Sequence, residues 1–327
     1  MQARQNALDK WLKLQLNHVS FTLEPLTGDA SFRRYFRLSL PTRTKIVMDS
    51  PPDQEALAQF ISIQRALKAK GILTPVVHAA DLEQGFALLD DLGDALFLHA
   101  TTDNNRDHCY NNAINTLVDM QQCPSKSLPA FDKQHMLNEM SLFIEWFLKA
   151  YLNLSLTTDE EHLIHITFNT IAERVAAQPQ VFIHRDYHSR NLMMVNDQIG
   201  VIDFQDAMFG PVTYDLVSLL KDCYTKLPEA AYQCYVDLFH QRQPLAQTWT
   251  LQGFMDEVDY CGLQRHLKVL GIFCRLHFRD NKPTYLQDLP LTIDYTLTCL
   301  KRHAELAPLL QLMEARVMPR FMETCKA

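Results

Sequence analysis

The sequence predicts an α+β protein, with a small antiparallel sheet in its N-terminal part and helices through most of the remainder. Three observations carry this. Short runs of strand character at residues 22–25, 31–40, 45–48, 76–77 and 86–89 are separated by turn formers. Beyond residue 94, apolar residues recur about every 3.6 positions over 105–122, 132–152 and 158–177. Residues 180–206 interrupt that pattern with two short apolar runs, one leading into His184-Arg185-Asp186 and one ending on Asp203.

Taken in order, residues 1–17 place Leu8, Trp11, Leu12 and Leu14 or Leu16 at helical spacing, which fits an amphipathic helix better than a secretory signal. Three strands follow, with a turn at Thr27-Gly28-Asp29. Side chains alternate along a strand, so Arg33 and Arg37 share a face that Arg34 does not. Pro51 and Pro52 end the third strand, and residues 54–69 read as a helix with Leu57, Phe60, Ile61 and Leu67 on one side and Glu55 in its first turn. Gly71 closes that helix and Pro75 follows. Two more strands complete the sheet, and Asp90-Asp91-Leu92-Gly93 leads out of it.

In the helical part Met136, Met140, Phe143, Trp146 and Phe147 read as core packing. A helix begins near Tyr214 with Asp215 in its first turn, where a carboxylate complements the helix dipole. Further on, Arg265, Lys268, Arg275 and Arg279 recur at steps of three, seven and four residues, which sets neighbours on adjoining helix faces.

Composition narrows the class. A chain of 327 residues is long enough for two lobes and a sizeable core, and 47% hydrophobic with 21% charged residues is ordinary for a globular protein. A formal charge of −7 counts against a general nucleic-acid or membrane-surface binder, so an anion site has to be built locally. No stretch is long and apolar enough to span a bilayer. The eight cysteines contain no Cys-x-x-Cys pair and read as thiols in a reducing cytoplasm.

The chemistry concentrates in 180–206. Val181, Phe182 and Ile183 form a short buried strand that delivers His184, Arg185 and Asp186 to its end, and Asn191 follows five residues later. A hairpin turned at Asn196 and Asp197 then brings Asp203 back. Phosphoryl transfer needs few protein groups beyond these. One carboxylate accepts the proton of the attacking hydroxyl, and hard oxygen ligands hold Mg²⁺ against nucleotide phosphates. Asp186 suits the first role, Asn191 and Asp203 the second. The plainer alternative makes both aspartates strand-end turn residues.

His184-Arg185-Asp186 with Asn191 resembles the catalytic loop of protein-kinase-like enzymes, and Ile202-Asp203-Phe204 resembles their metal-binding motif. Gly210-Pro211-Val212-Thr213-Tyr214-Asp215-Leu216 is similar to the corresponding helix start of the aminoglycoside phosphotransferase branch, and most of the chain resembles bacterial anomeric amino-sugar kinases. The resemblance implies a bilobal protein-kinase-like fold: an N-lobe over residues 1–93 with the hinge near 90–93, a C-lobe over 94–327, and MgATP in the cleft between them.

Further roles follow from it. Gly28 and Ser31 would cover the phosphates, and backbone groups near Asp90 and Leu92 would meet the adenine. The lysine usual on the third strand is replaced by Met48, so Arg34 or Arg37 would supply the phosphate contact, unless these arginines only mark an exposed strand edge. Glu55 would reach back to a basic residue of the sheet or only complement its helix dipole. His184 and Asp215 would support the catalytic loop. Arg265, Lys268, Arg275 and Arg279 would recognise the sugar, or form a solvated basic face.

The implied activity is ATP-dependent phosphorylation of the anomeric hydroxyl of N-acetylmuramate or N-acetylglucosamine by a cytoplasmic monomer, in peptidoglycan recycling. An aminoglycoside or other hydroxylated acceptor is the alternative, against which the basic lean of 264–282 counts, because aminoglycosides are polycations. A non-catalytic kinase-like binding module is the other, motivated by the missing strand lysine and opposed by the retention of Asp186, Asn191 and Asp203.

Overall fold

The computed structural model of the protein describes residues 2–26, 33–51 and 57–325. The chain forms two compact units, Met1–Ala100 with Asn191–Gln205, and Thr101–Arg190 with Asp206–Ala327. Residues 191–205 thus group with the first unit, where Phe204 stacks on Phe60 at 4.8 Å and the Met194 N–H donates to the Ala95 carbonyl at 2.7 Å.

In the first unit, α1 (Gln2–Gln15) precedes β1 (Thr22–Leu26), β2 (Arg34–Leu40), β3 (Arg43–Asp49), α2 (Leu57–Ala69), β4 (Val77–Asp81), β5 (Phe86–Asp90) and the one-turn α3 (Phe97–Ala100). The strands form one sheet in the order β1-β2-β3-β5-β4, antiparallel at every pairing. The periodic apolar residues of α1 do what their spacing predicts. Leu8, Trp11 and Leu12 pack on Leu38, Val47, Phe86 and Leu88, with the Trp11 and Phe86 rings 5.8 Å apart. Each such side chain contributes about 2 kcal/mol by leaving water. In the β2–β3 register Arg34 faces Asp49 and Arg37 faces Ile46. Facing residues share a face, so Arg34 lies on the α1 side with Val47, and Arg37 lies on the other side with Met48.

In the second unit, α4 (Arg106–Met120), α5 (Lys133–Leu142) and α6 (Thr158–Ala176) stand where the 3.6-residue spacing predicts helices. The last turns of the second of these widen into a π-type run, Phe143–Tyr151. Met136, Met140, Phe143 and Phe147 are buried and Trp146 is half-buried. A capping box between Thr157 and Glu160 starts α6. Then comes β6 (Gln180–Ile183). The hairpin β7 (Leu192–Val195) and β8 (Gln198–Val201), which belongs to the first unit, turns at Asn196 and Asp197 with φ of 47° and 64°, the left-handed pair of a two-residue hairpin.

The chain returns to the second unit with β9 (Met208–Pro211), antiparallel to β6, and continues through α7 (Tyr214–Leu220), α8 (Glu229–Arg242), α9 (Leu251–Asp280) and α10 (Leu289–Arg302). The 30-residue α9 is the spine of this unit, starting on a Thr250 cap and stopping on left-handed Asn281. Gly271 lets it pass backbone to backbone against the end of α5, since a Cβ there would overlap the carbonyl group of Leu142. All eight cysteines are free thiols. No helix among the described residues is long and apolar enough to cross a membrane.

Candidate active site

The catalytic-loop candidates sit at the end of β6, whose Val181, Phe182 and Ile183 are buried. Directly after the strand the chain turns through Arg185 in the left-handed region, at φ 76°. A side chain other than glycine resists that conformation by about 1–3 kcal/mol, so the surroundings must hold it. Asp215, fully buried at the start of α7, does so by accepting the backbone N–H groups of His184 at 2.6 Å and Arg185 at 3.0 Å. Burial pushes the Asp215 carboxyl up to about 6, against the pull of His184 and of both backbone donors. The Asp186 N–H donates to His184 Nδ1 at 3.3 Å, which fixes that ring nitrogen as an acceptor.

Asp186 itself is half-buried. Desolvation opposes its charge, but Lys268, His188, Arg185 and Arg265 outweigh desolvation and hold its pKa down to about 2. The carboxylate is thus ionised at neutral pH, able to accept a hydrogen bond from a hydroxyl and to take its proton late in the transfer. The surrounding cations have their own counter-charge. Glu139 of α5 meets Arg185 at 2.7 Å and Lys268 at 3.2 Å, and accepts from Gln264 at 3.1 Å. Its pKa lies well below the usual carboxylate range, because Lys268, His135, Arg185 and Gln264 outweigh its burial.

In the first unit, Asn191 and Asp203 come together at the two ends of the β7–β8 hairpin. Asn191 Nδ2 stands 3.5 Å from Asp203 Oδ2, and the Ile202 N–H donates to the Asn191 carbonyl at 3.1 Å. Asp203 is left-handed at φ 62°. Gln205 donates to Asp203 Oδ1 at 2.7 Å, and its own Oε1 is buried without a partner among the described residues. This set of amide and carboxylate oxygens, with no nitrogen or sulfur ligand, fits Mg²⁺.

The other N-terminal candidates divide. Gly28, Ser31 and Glu55 lie outside the described residues. Arg34 is taken up by the buried carboxylate of Asp49, to which Arg4 Nε also donates at 2.7 Å, on the face that α1 covers. Arg37, on the opposite face, pairs with Asp91 and Asp94, each at 2.8 Å. Asp90 pairs with Lys45 and His78, each at 2.7 Å, while its backbone N–H donates to Val76. That residue stitches three strands together. Leu92 rests against Gly200 of β8, where a Cβ would come within 2.9 Å of its Cδ1.

The four basic residues of α9 do not form one recognition face. Arg265 and Lys268 are buried beside Asp186, with Arg265 3.7 Å from Cys223 Sγ and Lys268 between Glu139 and the Tyr214 hydroxyl, the latter at 3.3 Å. Arg275 and Arg279 begin two turns farther along, about 10 Å up the axis. Arg275 is half-buried, and Arg279 is exposed and paired with the adjacent Asp280 at 2.8 Å.

Three residues at this site carry weight that the sequence reading did not give them: Glu139, His188 and Asp222. Glu139 had a visible signal, an acidic residue on the same helical stripe as Met136, Met140 and Phe143. His188 and Asp222 had none, since only the folded chain brings the segment after α7 to the candidate catalytic loop, where the Ser189 N–H donates to Asp222 at 2.9 Å.

The profile of the phosphotransferase enzyme family matches residues 22–249, and the chain belongs to that family. It is 36% identical to a Pseudomonas putida protein named N-acetylmuramate/N-acetylglucosamine kinase, over 95% of this chain and 96% of that one. A protein of the same name from Neisseria meningitidis serogroup B is 37% identical over 98% of both. Among solved structures, the ADP-bound aminoglycoside phosphotransferase APH(2'')-Ib superimposes with a TM-score of 0.60 at 13% identity, covering 88% of this chain and 97% of that one. Choline kinase LicA from Streptococcus pneumoniae gives 0.62 at 11% identity, covering 89% and 99%. These likenesses establish the protein-kinase-like fold.

Proposed function

We propose that this protein is an ATP-dependent kinase that phosphorylates the anomeric hydroxyl of N-acetylmuramate and N-acetylglucosamine, in cytoplasmic recycling of cell-wall sugars. The observation that carries the reading is an ionised Asp186 at the end of a buried strand, in a chain similar along nearly its whole length to proteins named for that activity. Asp186 orients the sugar hydroxyl and accepts its proton as the sugar O–P bond forms and the bond from the γ-phosphorus to the β,γ-bridging oxygen breaks, releasing ADP. Asn191 and Asp203 are the residues that would hold Mg²⁺, whose charge offsets that of the phosphates when the nucleotide is bound. Of the two arginines considered for the phosphates, Arg37 is favoured, because Arg34 is held by the buried Asp49 under α1; Arg37 would exchange Asp91 and Asp94 for the nucleotide.

The test is ³¹P NMR of the protein with MgATP and, in separate tubes, N-acetylmuramate, N-acetylglucosamine and an aminoglycoside. A sugar 1-phosphate resonance is expected in the first two tubes, falling by roughly a thousandfold in rate for Asp186→Asn, as loss of a general base does. ATP left intact in both sugar tubes would overturn the reading.

A further inference from the structure

Next to Asp186 the second unit holds an acceptor-side arrangement that the α9 arginines do not explain, and its reading rests on the sugar-kinase assignment above. The Asp222 carboxylate accepts the N–H groups of Ser189 and Tyr224, each at 2.9 Å, which ties the end of the catalytic loop to the segment after α7. The His188 ring meets the Tyr224 ring edge-on at 5.2 Å. Over the Tyr224 ring, 3.6 Å from its centroid, lies the guanidinium carbon of Arg190, with the Tyr285 ring 6.0 Å away. A planar cation at that distance is held by the ring quadrupole while its edge N–H donors point outward.

Those donors are uncommitted. Among the described residues Arg190 donates no hydrogen bond, and its carboxylate neighbour, Asp288, stands at 4.0 Å, beyond hydrogen-bond reach. Asp288 Oδ2 is buried and has no hydrogen-bond partner either. The contrast with Arg265 and Lys268 is direct, because those two are buried and bonded to Cys223, Glu139 and Tyr214. Two further orphaned polar atoms lie on the same loop: His188 Nδ1 and Ser189 Oγ are buried without partners. Buried donors and acceptors without partners are destabilising, a cost that a hydroxylated ligand removes.

N-acetylmuramate and N-acetylglucosamine share every recognition group except one. The first carries a lactyl ether, and therefore a carboxylate, where the second has a hydroxyl. A site that accepts both needs a cation that binds a carboxylate when one is present and a built-in counter-charge when it is not. We propose that Arg190 reads the lactyl carboxylate of N-acetylmuramate through its two edge N–H groups, and that Asp288 serves as its counter-charge when N-acetylglucosamine is bound. Arg190 is thus a specificity-determining residue, four positions beyond the base, and the acceptor is recognised from the catalytic loop and the start of α10, not from the length of α9.

The test is steady-state kinetics on both sugars with saturating MgATP, for the wild type, Arg190→Gln, Arg190→Lys and Asp288→Asn. In Arg190→Gln the ratio of kcat/KM for N-acetylmuramate to that for N-acetylglucosamine falls at least tenfold, through KM for N-acetylmuramate, and the lysine variant recovers part of it. Asp288→Asn, which removes the competing carboxylate, moves the ratio the other way, and it decides the matter if Arg190→Gln does not fold. An unchanged ratio in these variants, with both sugars slowed equally, overturns the role of Arg190 and leaves the kinase reading standing. A wild type that turns over neither sugar overturns both.

Discussion

The Asp215 carboxylate accepts both backbone N–H groups that flank the left-handed turn at Arg185, at 2.6 Å from His184 and 3.0 Å from Arg185. On the kinase reading it is a positioning residue. It sets the direction in which the chain leaves β6, and so the place of Asp186.

That role has a pH signature. The folded pKa of Asp215 is raised to about 6 from an ordinary 3.8, so the folded state holds this proton more tightly than the unfolded chain. The resulting stabilisation is fully present below the unfolded value and is lost as pH rises through about 6, roughly 3 kcal/mol in all. Asp215→Asn removes it. The stability gap between wild type and this variant, from urea unfolding, should therefore be larger at about pH 4.5 than at about pH 7.

Glu139→Gln tests the charge cluster under the loop. Removing one partner of a buried ion pair leaves Arg185 and Lys268 without their shared counter-charge, at a cost of about 3 kcal/mol or more. Urea unfolding reads the loss. A change under about 1 kcal/mol would mean that Asp186 alone balances the two cations.

Arg37 and Arg34 should separate cleanly. Arg37→Ala is expected to raise KM for ATP about tenfold, the effect of one lost charge-assisted contact of ~1.4 kcal/mol. Arg34→Ala should instead lower stability by about 1 kcal/mol, since buried Asp49 keeps Arg4 but loses its second cation. The reverse pattern would assign the phosphate contact to Arg34.

Gly271→Ala probes the packing of α9. The added Cβ would overlap the Leu142 carbonyl group, a backbone atom set that cannot rotate away, so the variant should lose about 1–3 kcal/mol and melt earlier in calorimetry.

How much of this was readable from the chain depends on distance along it. Residues 180–206 announce themselves because the strand, the turn pair Asn196-Asp197 and the acidic strand ends are local, and local chemistry dictates them. The helices over 106–120, 133–142 and 158–176 were legible for the same reason. The α9 arginines show where such reading stops. Their spacing is a property of one helix, but what each cation does is set by Glu139, Asp186 and Tyr214, which come from three other segments. Arg265 and Lys268 therefore belong to a buried charge cluster, and the Asp222 tie to the catalytic loop joins residues 33 apart. Arg34 was ambiguous for a related reason: alternation separates it from Arg37, but only α1's docking shows which of the two lies beneath it.

The docking of α1 also fixes a built-in optical probe. The protein has three tryptophans, of which Trp146 and Trp249 fall in the second unit, leaving Trp11, sealed against Phe86, as the sole indole of the first. With Trp146 and Trp249 replaced by phenylalanine, the remaining fluorescence follows the sheet alone. Quenching by acrylamide would then report when α1 lifts off, independently of any change in the helices.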